Sequence, residues 1–474
     1  MSPGAPLSTD SVITRSVGAA PDRFAAGHLG ELTQQVPFEM VDEVLAETGA
    51  VQARVRNLPA RVVVYLLLAG CLFTGIGYRQ VWARLIAGLE GLPVPIPTAS
   101  ALTQARTRLG AGPLRRLFEV LAGPAATGRV PGTRWRGLLL CAIDGTLLSV
   151  PDSPANLGVY RKQAGGPCGG GSYPTLRLVT LLACGTRTVI SAVFGPASTG
   201  ETRYAPGLFA ALRPGMLVLA DRNFTAGGLI TAINSTGAQV LFRARTGRGG
   251  PALPALARNP DGSFRSVFGG VAVRVIDARI SVRTTAGSRT QTYRLLTTLL
   301  DTSRYPAAEL IGLYHQRWEI ETAYLELKSG LLGGRVLRAR TPAGVEQEVW
   351  ALLICYQAIR TAMTDATNSV PDLDPDRAGF TTALHAARDQ VIHAAGVIAD
   401  TTIDLVGAIG RAILADLLPD RRPRTNARTV KRAISKYNAR GPHIDRRTYP
   451  TTVTIDVLTG TDKPDQPLTT RHWR

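Results

Sequence analysis

Two aspartates and one charge-laced helix carry the residue types in this chain that can do metal-dependent chemistry. The apolar run Gly137–Ile143 leads into Asp144-Gly145-Thr146, and the run Met216–Ala220 leads into Asp221-Arg222-Asn223-Phe224. A carboxylate directly after an apolar strand is costly unless it is used, paired or at a solvent edge. In open α/β sheets the carboxyl ends of the strands form the site. Asp-Gly is also a strong turn signal, so either aspartate alone reads as a turn. Two of them, each closing a strand-like run, point to a site.

The third element is Tyr314, Arg317, Glu321 and Lys328, at offsets 0, 3, 7 and 14. At about 100° per residue, an unbroken helix sets these within roughly 60° of one another. Glu319 and Glu326 fall on the opposite side. The ordinary alternative is a surface helix, with Arg317 and Glu321 as an i,i+4 pair worth a few tenths of a kcal/mol. Three acids suit a pair of divalent cations about 3.5–4 Å apart that clamp the attacking and leaving oxygens of a phosphodiester. Mg²⁺ takes few protein carboxylates and completes its shell with water and phosphate. The candidate catalytic and metal-ligating residues are therefore Asp144, Asp221 and Glu321, with two Mg²⁺ (or Mn²⁺) as the expected cofactors. Arg317 and Lys328 are expected to hold neighbouring phosphates, the first as a planar fork and the second as a point charge. Tyr314 is expected to donate to a phosphate or to position a flipped-out nucleotide.

The elements that must position these groups are legible in outline. Residues 1–30, rich in Ser, Pro, Gly and Ala, are expected to be disordered. Residues 31–130 read as a helical domain, with helices over Phe38–Thr48, Arg61–Phe73, Tyr78–Leu89 and Ala101–Leu109. The last follows a Pro-rich breaker and is capped by Thr98 or Ser100. It carries Arg106 and Arg108 and reads either as a helix entering a DNA groove or as the solvated face of a bundle. Strand-like runs at 137–143, 176–184, 188–194, 216–220 and 239–245, with helices at 201–212 and 225–235, give the order β-β-β-α-β-α-β. That is the order of a ribonuclease-H-like α/β core, expected over 134–245 and 302–400. Residues 246–301 read as a β-rich insertion, one long helix spans about Pro306–Gly330, and 401–474 form a helical and basic C-terminal region.

Composition sets the class of partner. The 474 residues hold 54 Lys plus Arg against 35 Asp plus Glu, a net charge of +19. An excess this large points to an acidic polymer, nucleic acid before anionic membrane. From Arg421 to Arg447 the chain carries ten basic residues and one acid. Within that tail Lys431, Arg432 and Lys436 sit among apolar residues, which suits a segment laid along phosphates. The longest apolar run, Val62–Phe73, is too short to span a bilayer. Five scattered cysteines, none in a CxxC spacing, argue against a disulfide framework or a zinc site.

The spacing Tyr314-x2-Arg317-x3-Glu321-x6-Lys328 resembles the signature around the third acid of the DDE transposases of the insertion-sequence-four family. Ala142-Ile143-Asp144-Gly145-Thr146 looks like that family's first-Asp segment and Leu219-Ala220-Asp221-Arg222-Asn223-Phe224 like its second. The likeness spans about residues 35–440. It implies a ribonuclease-H-like core with Asp144, Asp221 and Glu321 ligating two Mg²⁺ or Mn²⁺ ions. It implies strand cleavage by water and transfer of the freed 3′-hydroxyl into target DNA. The implied partner is double-stranded DNA, both inverted-repeat ends and target, bound by a homodimer in the bacterial cytoplasm at the nucleoid, with no membrane. Some relatives form a hairpin and stack a flipped base on a Trp of the β insertion. No Trp lies between Asp221 and Trp318 here, so Phe242, Phe264, Phe268 and Tyr293 are the aromatic candidates, and Trp318 is expected in the core. The competing expectations are a structure-specific nuclease with the same core, and a non-catalytic DNA-binding copy.

Overall fold

The computed structural model describes residues 24–419, except 53–55, 90–93, 126–129, 131, 163–172, 248, 286 and 394–405. It also describes 13–15, 424–426, 448–450 and 452–458. The chain divides into two compact units. One comprises 1–125, 149–159 and 323–418; the other comprises 126–148, 160–322 and 419–474.

The first unit is helical: α1 (Phe38–Glu47), α2 (Ala60–Leu72), α3 (Tyr78–Ile86), α4 (Ala99–Leu109) and α5 (Gly112–Leu121). The helix α2 is apolar on all sides, and every residue but Arg61 is buried. Such a helix belongs inside a bundle. Thr98 caps α4 by accepting from the Ala101 N–H at 3.1 Å. Ile13–Arg15 and Phe24–Ala26 pair as short antiparallel strands, and His28 and Leu29 are fully buried. Within the stretch expected to be disordered, His28 lies 2.7 Å from the Leu85 carbonyl and Leu29 packs in the core.

The second unit is built on β1 (Leu138–Ser149), β2 (Thr175–Ala183), β3 (Val189–Pro196), β4 (Met216–Ala220) and β5 (Gln239–Ala244), with α6 (Gly227–Ser235) between the last two strands. Their order across the sheet is β3-β2-β1-β4-β5. The pair β2/β3 is antiparallel, and β1/β4 and β4/β5 are parallel. This is the ribonuclease-H-like arrangement expected from the element order. Its core joins Ile143, Val179, Val218 and Phe242 from the strands to Leu208, Phe209, Ile230 and Ile233. The expected helix over 201–212 is a single α turn, Glu201–Tyr204, followed by a 3-10 stretch over Ala205–Ala211 that contains Pro206 and Gly207.

The β-rich segment contributes β6 (Phe264–Phe268), β7 (Val271–Thr284) and β8 (Gly287–Thr297). It extends the core sheet rather than standing apart, because β8 pairs antiparallel with β5 through Leu296↔Phe242. The C-terminal strand β9 (Thr452–Val457) joins the same sheet against β7. Its alternation Thr-Val-Thr-Ile-Asp-Val is a strand signal inside a region expected to be helical and basic.

The expected long helix is broken. It runs as α7 (Ala307–Tyr314), a 3-10 turn over His315–Arg317, α8 (Trp318–Leu325) and a π turn over Glu326–Leu331. Beyond it α9 (Pro342–Asn368), α10 (Phe380–Ile392) and α11 (Gly407–Ala415) complete the first unit, where α9 packs on α2 and α5. Segment 323–418 thus groups with the N-terminal helices and not with the sheet. Among the described residues no helix is long and apolar enough to cross a membrane.

Candidate active site

Parallel pairing of β1 with β4 places Ile143 opposite Ala220, so Asp144 and Asp221 follow side by side. Residues 139–143 and 216–220 are buried throughout, and burial relaxes at both aspartates. Asp144 does not end its strand, as the Asp-Gly signal suggested; β1 continues to Ser149. Its Oδ1 accepts the Gly145 N–H at 2.8 Å. Asp221 does leave its strand, and its Oδ1 accepts the Asn223 N–H at 2.8 Å, the local bond that lets Asp close a strand with a turn.

The third acid arrives through the 3-10 turn. Such a turn has 3.0 residues per turn rather than 3.6, so side chains three apart across it eclipse, and the Arg317 guanidinium lies 6.0 Å from the centre of the Tyr314 ring. Tyr314 points inward, is 7% exposed, and donates its hydroxyl to the Ala220 carbonyl at 3.2 Å. That hydroxyl thus bonds the backbone just before Asp221. Beyond the turn, Arg317 donates from Nη2 to Glu321 Oε1 at 2.9 Å and lies 3.4 Å from Asp144 Oδ2 through Nη1. Asp144 and Glu321 are thus brought to the two nitrogens of one guanidinium. The Nε of Arg317 is buried without a partner.

Burial pushes the Asp144 carboxyl up to about 7 against the pull of the Gly145 N–H and Arg317, and Asp221 and Glu201 add like charge. A carboxyl so placed favours a neighbouring cation, because neutralising charge offsets both the burial and the repulsion. Among the described residues no three His, Cys, Asp or Glu side chains are close enough together to hold one ion. The cation these acids share is Arg317. The donor set is nonetheless one of hard oxygens, which suits Mg²⁺ or Mn²⁺.

The remaining expected residues are dispersed. Lys328 lies in the π turn, in the helical unit. In that unit Arg106 stacks over the Tyr78 ring at 3.9 Å, so its guanidinium faces the bundle, whereas Arg108 is exposed. Lys431, Arg432 and Lys436 lie outside the described residues. Glu319 faces away from the site, as expected, into a buried pair with Arg187 at 2.5 Å. Trp318 is not in the core: it is 56% exposed, three residues before Glu321. Of the aromatic candidates, Phe242 is fully buried, while Tyr293 lies under the Arg243 guanidinium at 3.9 Å.

Sequence reasoning missed a cationic cavity of about 420 Å³ lined by Arg222, Arg243, Arg245, Thr246 and Thr292. The signal was present in part. Arg222 follows Asp221, and Arg243-Ala-Arg245 closes β5, the strand parallel to β4. Strands that end together deliver their terminal residues together.

Comparison with known proteins matches two family models. Residues 26–119 match the insertion element 4 transposase N-terminal region, and residues 135–358 match the transposase DDE domain. The chain is 29% identical over 414 residues to the transposase InsG for insertion sequence element IS4 of Escherichia coli (strain K12), covering 84% of this chain and 91% of that protein. It is 30% identical over 213 residues to the putative transposase InsZ of the same organism, covering 43% of this chain and 67% of that protein. A solved piggyBac transposase synaptic complex with hairpin DNA is 12% identical, with a TM-score of 0.40 over 85% of this chain and 86% of that one.

Proposed function

The chain belongs to the insertion-element-4 family of DDE transposases, and on that premise we propose that Asp144, Asp221 and Glu321 are the three acids of its catalytic centre. It is an enzyme of DNA transposition in a family that depends on divalent metal. The observation that carries the assignment is the convergence on Arg317: Glu321 at 2.9 Å and Asp144 at 3.4 Å, with Asp221 beside Asp144 through the β1/β4 register.

The three carboxylates would hold two Mg²⁺ or Mn²⁺ ions, which supply Lewis-acid stabilisation to the attacking and leaving oxygens of the phosphodiester. The rest of the site belongs to the chain. Tyr314 fixes the end of β4 and so the starting point of Asp221. Arg317 balances the charge of Asp144 and Glu321 and presents a guanidinium to a phosphate. Arg222, Arg243 and Arg245 line a cavity at the ends of the same strands, where the DNA backbone of the cleaved end is held. Arg108 on α4 supplies a further contact to DNA from the helical unit. The reaction is cleavage at the element's ends by water and transfer of the 3′-hydroxyl to target DNA, by two copies of the chain on paired ends.

The test is joining. Labelled inverted-repeat ends incubated with the protein, Mg²⁺ and a target plasmid should be cut and covalently joined to the plasmid. Asp144→Asn, Asp221→Asn and Glu321→Gln should each abolish both steps while retaining DNA binding. Cleavage without joining would favour the structure-specific nuclease. Near-normal cleavage by any of the three variants would remove that residue from the centre.

A further inference from the structure

Glu201 lies outside the three acids, yet the chain holds it firmly against the strand that carries Asp144. Arg177, on β2, donates to Glu201 Oε1 at 2.5 Å, to the Thr199 carbonyl at 2.9 Å and to the Ala197 carbonyl at 3.3 Å. One guanidinium thereby ties the segment 197–201 to the sheet. Tyr204 anchors the same segment by donating to the Pro196 carbonyl at 3.1 Å. The side chains of Arg177 and Glu201 are only 18% and 20% exposed. With three bonds to one guanidinium this is a fixed clamp rather than a loose surface pair.

What the clamp positions Glu201 against is Gly145. A Cβ at that glycine would lie 2.5 Å from Glu201 Cγ and 2.7 Å from its Cδ and Oε1, closer than real Cβ atoms come. Gly145 is absent from the glycines with positive φ, so it is the missing side chain, and not a special backbone, that this place requires. The Gly145 N–H is the donor that Asp144 Oδ1 accepts at 2.8 Å. The Glu201 carboxylate therefore packs on the residue that orients Asp144.

We propose that Glu201 is a positioning residue for Asp144: held by Arg177, it fills the space that Gly145 leaves open, fixes the Asp144–Gly145 backbone, and adds negative charge that strengthens divalent-cation binding there. The proposal rests on the reading of Asp144 as a metal ligand. It gives a role to Gly145 and to a glutamate 57 residues beyond Asp144.

The test uses the full chain without DNA. Mn²⁺ is titrated into wild type, Glu201→Gln, Glu201→Asp, Gly145→Ala and Asp144→Asn, and free Mn²⁺ is read by electron paramagnetic resonance. Removing one charge several ångströms away should weaken Mn²⁺ binding about five- to tenfold in Glu201→Gln. Glu201→Asp should recover part of the loss, and Gly145→Ala should match Glu201→Gln. Should Glu201→Gln fail to fold because Arg177 loses its counter-charge, Gly145→Ala, which keeps both charges and displaces the Glu201 carboxylate from Asp144, carries the same expectation. Wild-type Mn²⁺ affinity in the Glu201 variants, alongside weakened binding in Asp144→Asn, overturns the positioning role alone. Unchanged affinity in Asp144→Asn as well overturns the assignment of Asp144 on which it stands.

Discussion

Arg317 Nη1 stands 3.4 Å from Asp144 Oδ2, although 173 residues separate the two in the chain. The same guanidinium bonds Glu321, its neighbour on the next turn, at 2.9 Å. A partly buried carboxyl and a helical glutamate thus share one cation. Arg317→Ala should slow single-turnover cleavage of a labelled end on the order of 100-fold, the scale of losing one charge-stabilising donor. Arg317→Lys should recover only part of this, because a point charge cannot span both acids as a planar fork does. If end binding and cleavage are both unchanged in Arg317→Ala, the helix is an ordinary charged surface.

Tyr314→Phe separates a buttress from a phosphate ligand. Its hydroxyl donates to the Ala220 carbonyl, so its loss should cost about 1 kcal/mol of stability, the typical net value of a hydrogen bond. The melting temperature should fall while DNA affinity stays near wild type. An unchanged melting temperature with weakened end binding would return Tyr314 to the phosphate role.

The Arg187–Glu319 pair tests why the helix faces as it does. The two side chains are 2% and 6% exposed. Glu319→Ala should destabilise the chain by about 3–5 kcal/mol, because it removes the carboxylate that pairs with a buried guanidinium. The double change Arg187→Met/Glu319→Leu should recover much of that in a denaturant titration. A mild effect of Glu319→Ala would mean that the pair is more hydrated than its burial indicates.

Arg222, Arg243 and Arg245 should act through phosphates. Each change to Ala should weaken binding of end DNA and of unrelated DNA alike, and lower the salt-dependence slope by about one. Sequence-selective loss, or no change in slope, would place the DNA backbone elsewhere.

Much of this is legible in the sequence. The strands of the core, the two aspartates that follow apolar runs and the bundle helices follow from periodicity and from apolar runs that stop at a carboxylate, whereas the adjacent register of the aspartates comes from the folded sheet. What misled was local. Asp144-Gly145 has the composition of a turn, but the glycine serves to admit Glu201, a tertiary contact that no local pattern encodes. A regular helix would set Tyr314, Arg317, Glu321 and Lys328 on one stripe. The 3-10 turn keeps the first three together around the Arg317 guanidinium, whereas Lys328 lies in the π turn of the other unit. The Arg222, Arg243 and Arg245 cavity is hidden because these arginines follow or close two strands, and Thr292 comes from a third, that meet only in the folded sheet.

The central claim is that Asp144, Asp221 and Glu321 surround the same divalent ions. Fe²⁺ substituted for Mg²⁺ in the full chain, with added hydrogen peroxide as oxidant and ascorbate to recycle the iron, generates hydroxyl radicals that cut the polypeptide close to wherever the ion sits. Fragments ending near all three residues, suppressed by excess Mg²⁺, are the predicted result. Cutting that spares any one of the three segments while striking the other two contradicts the account.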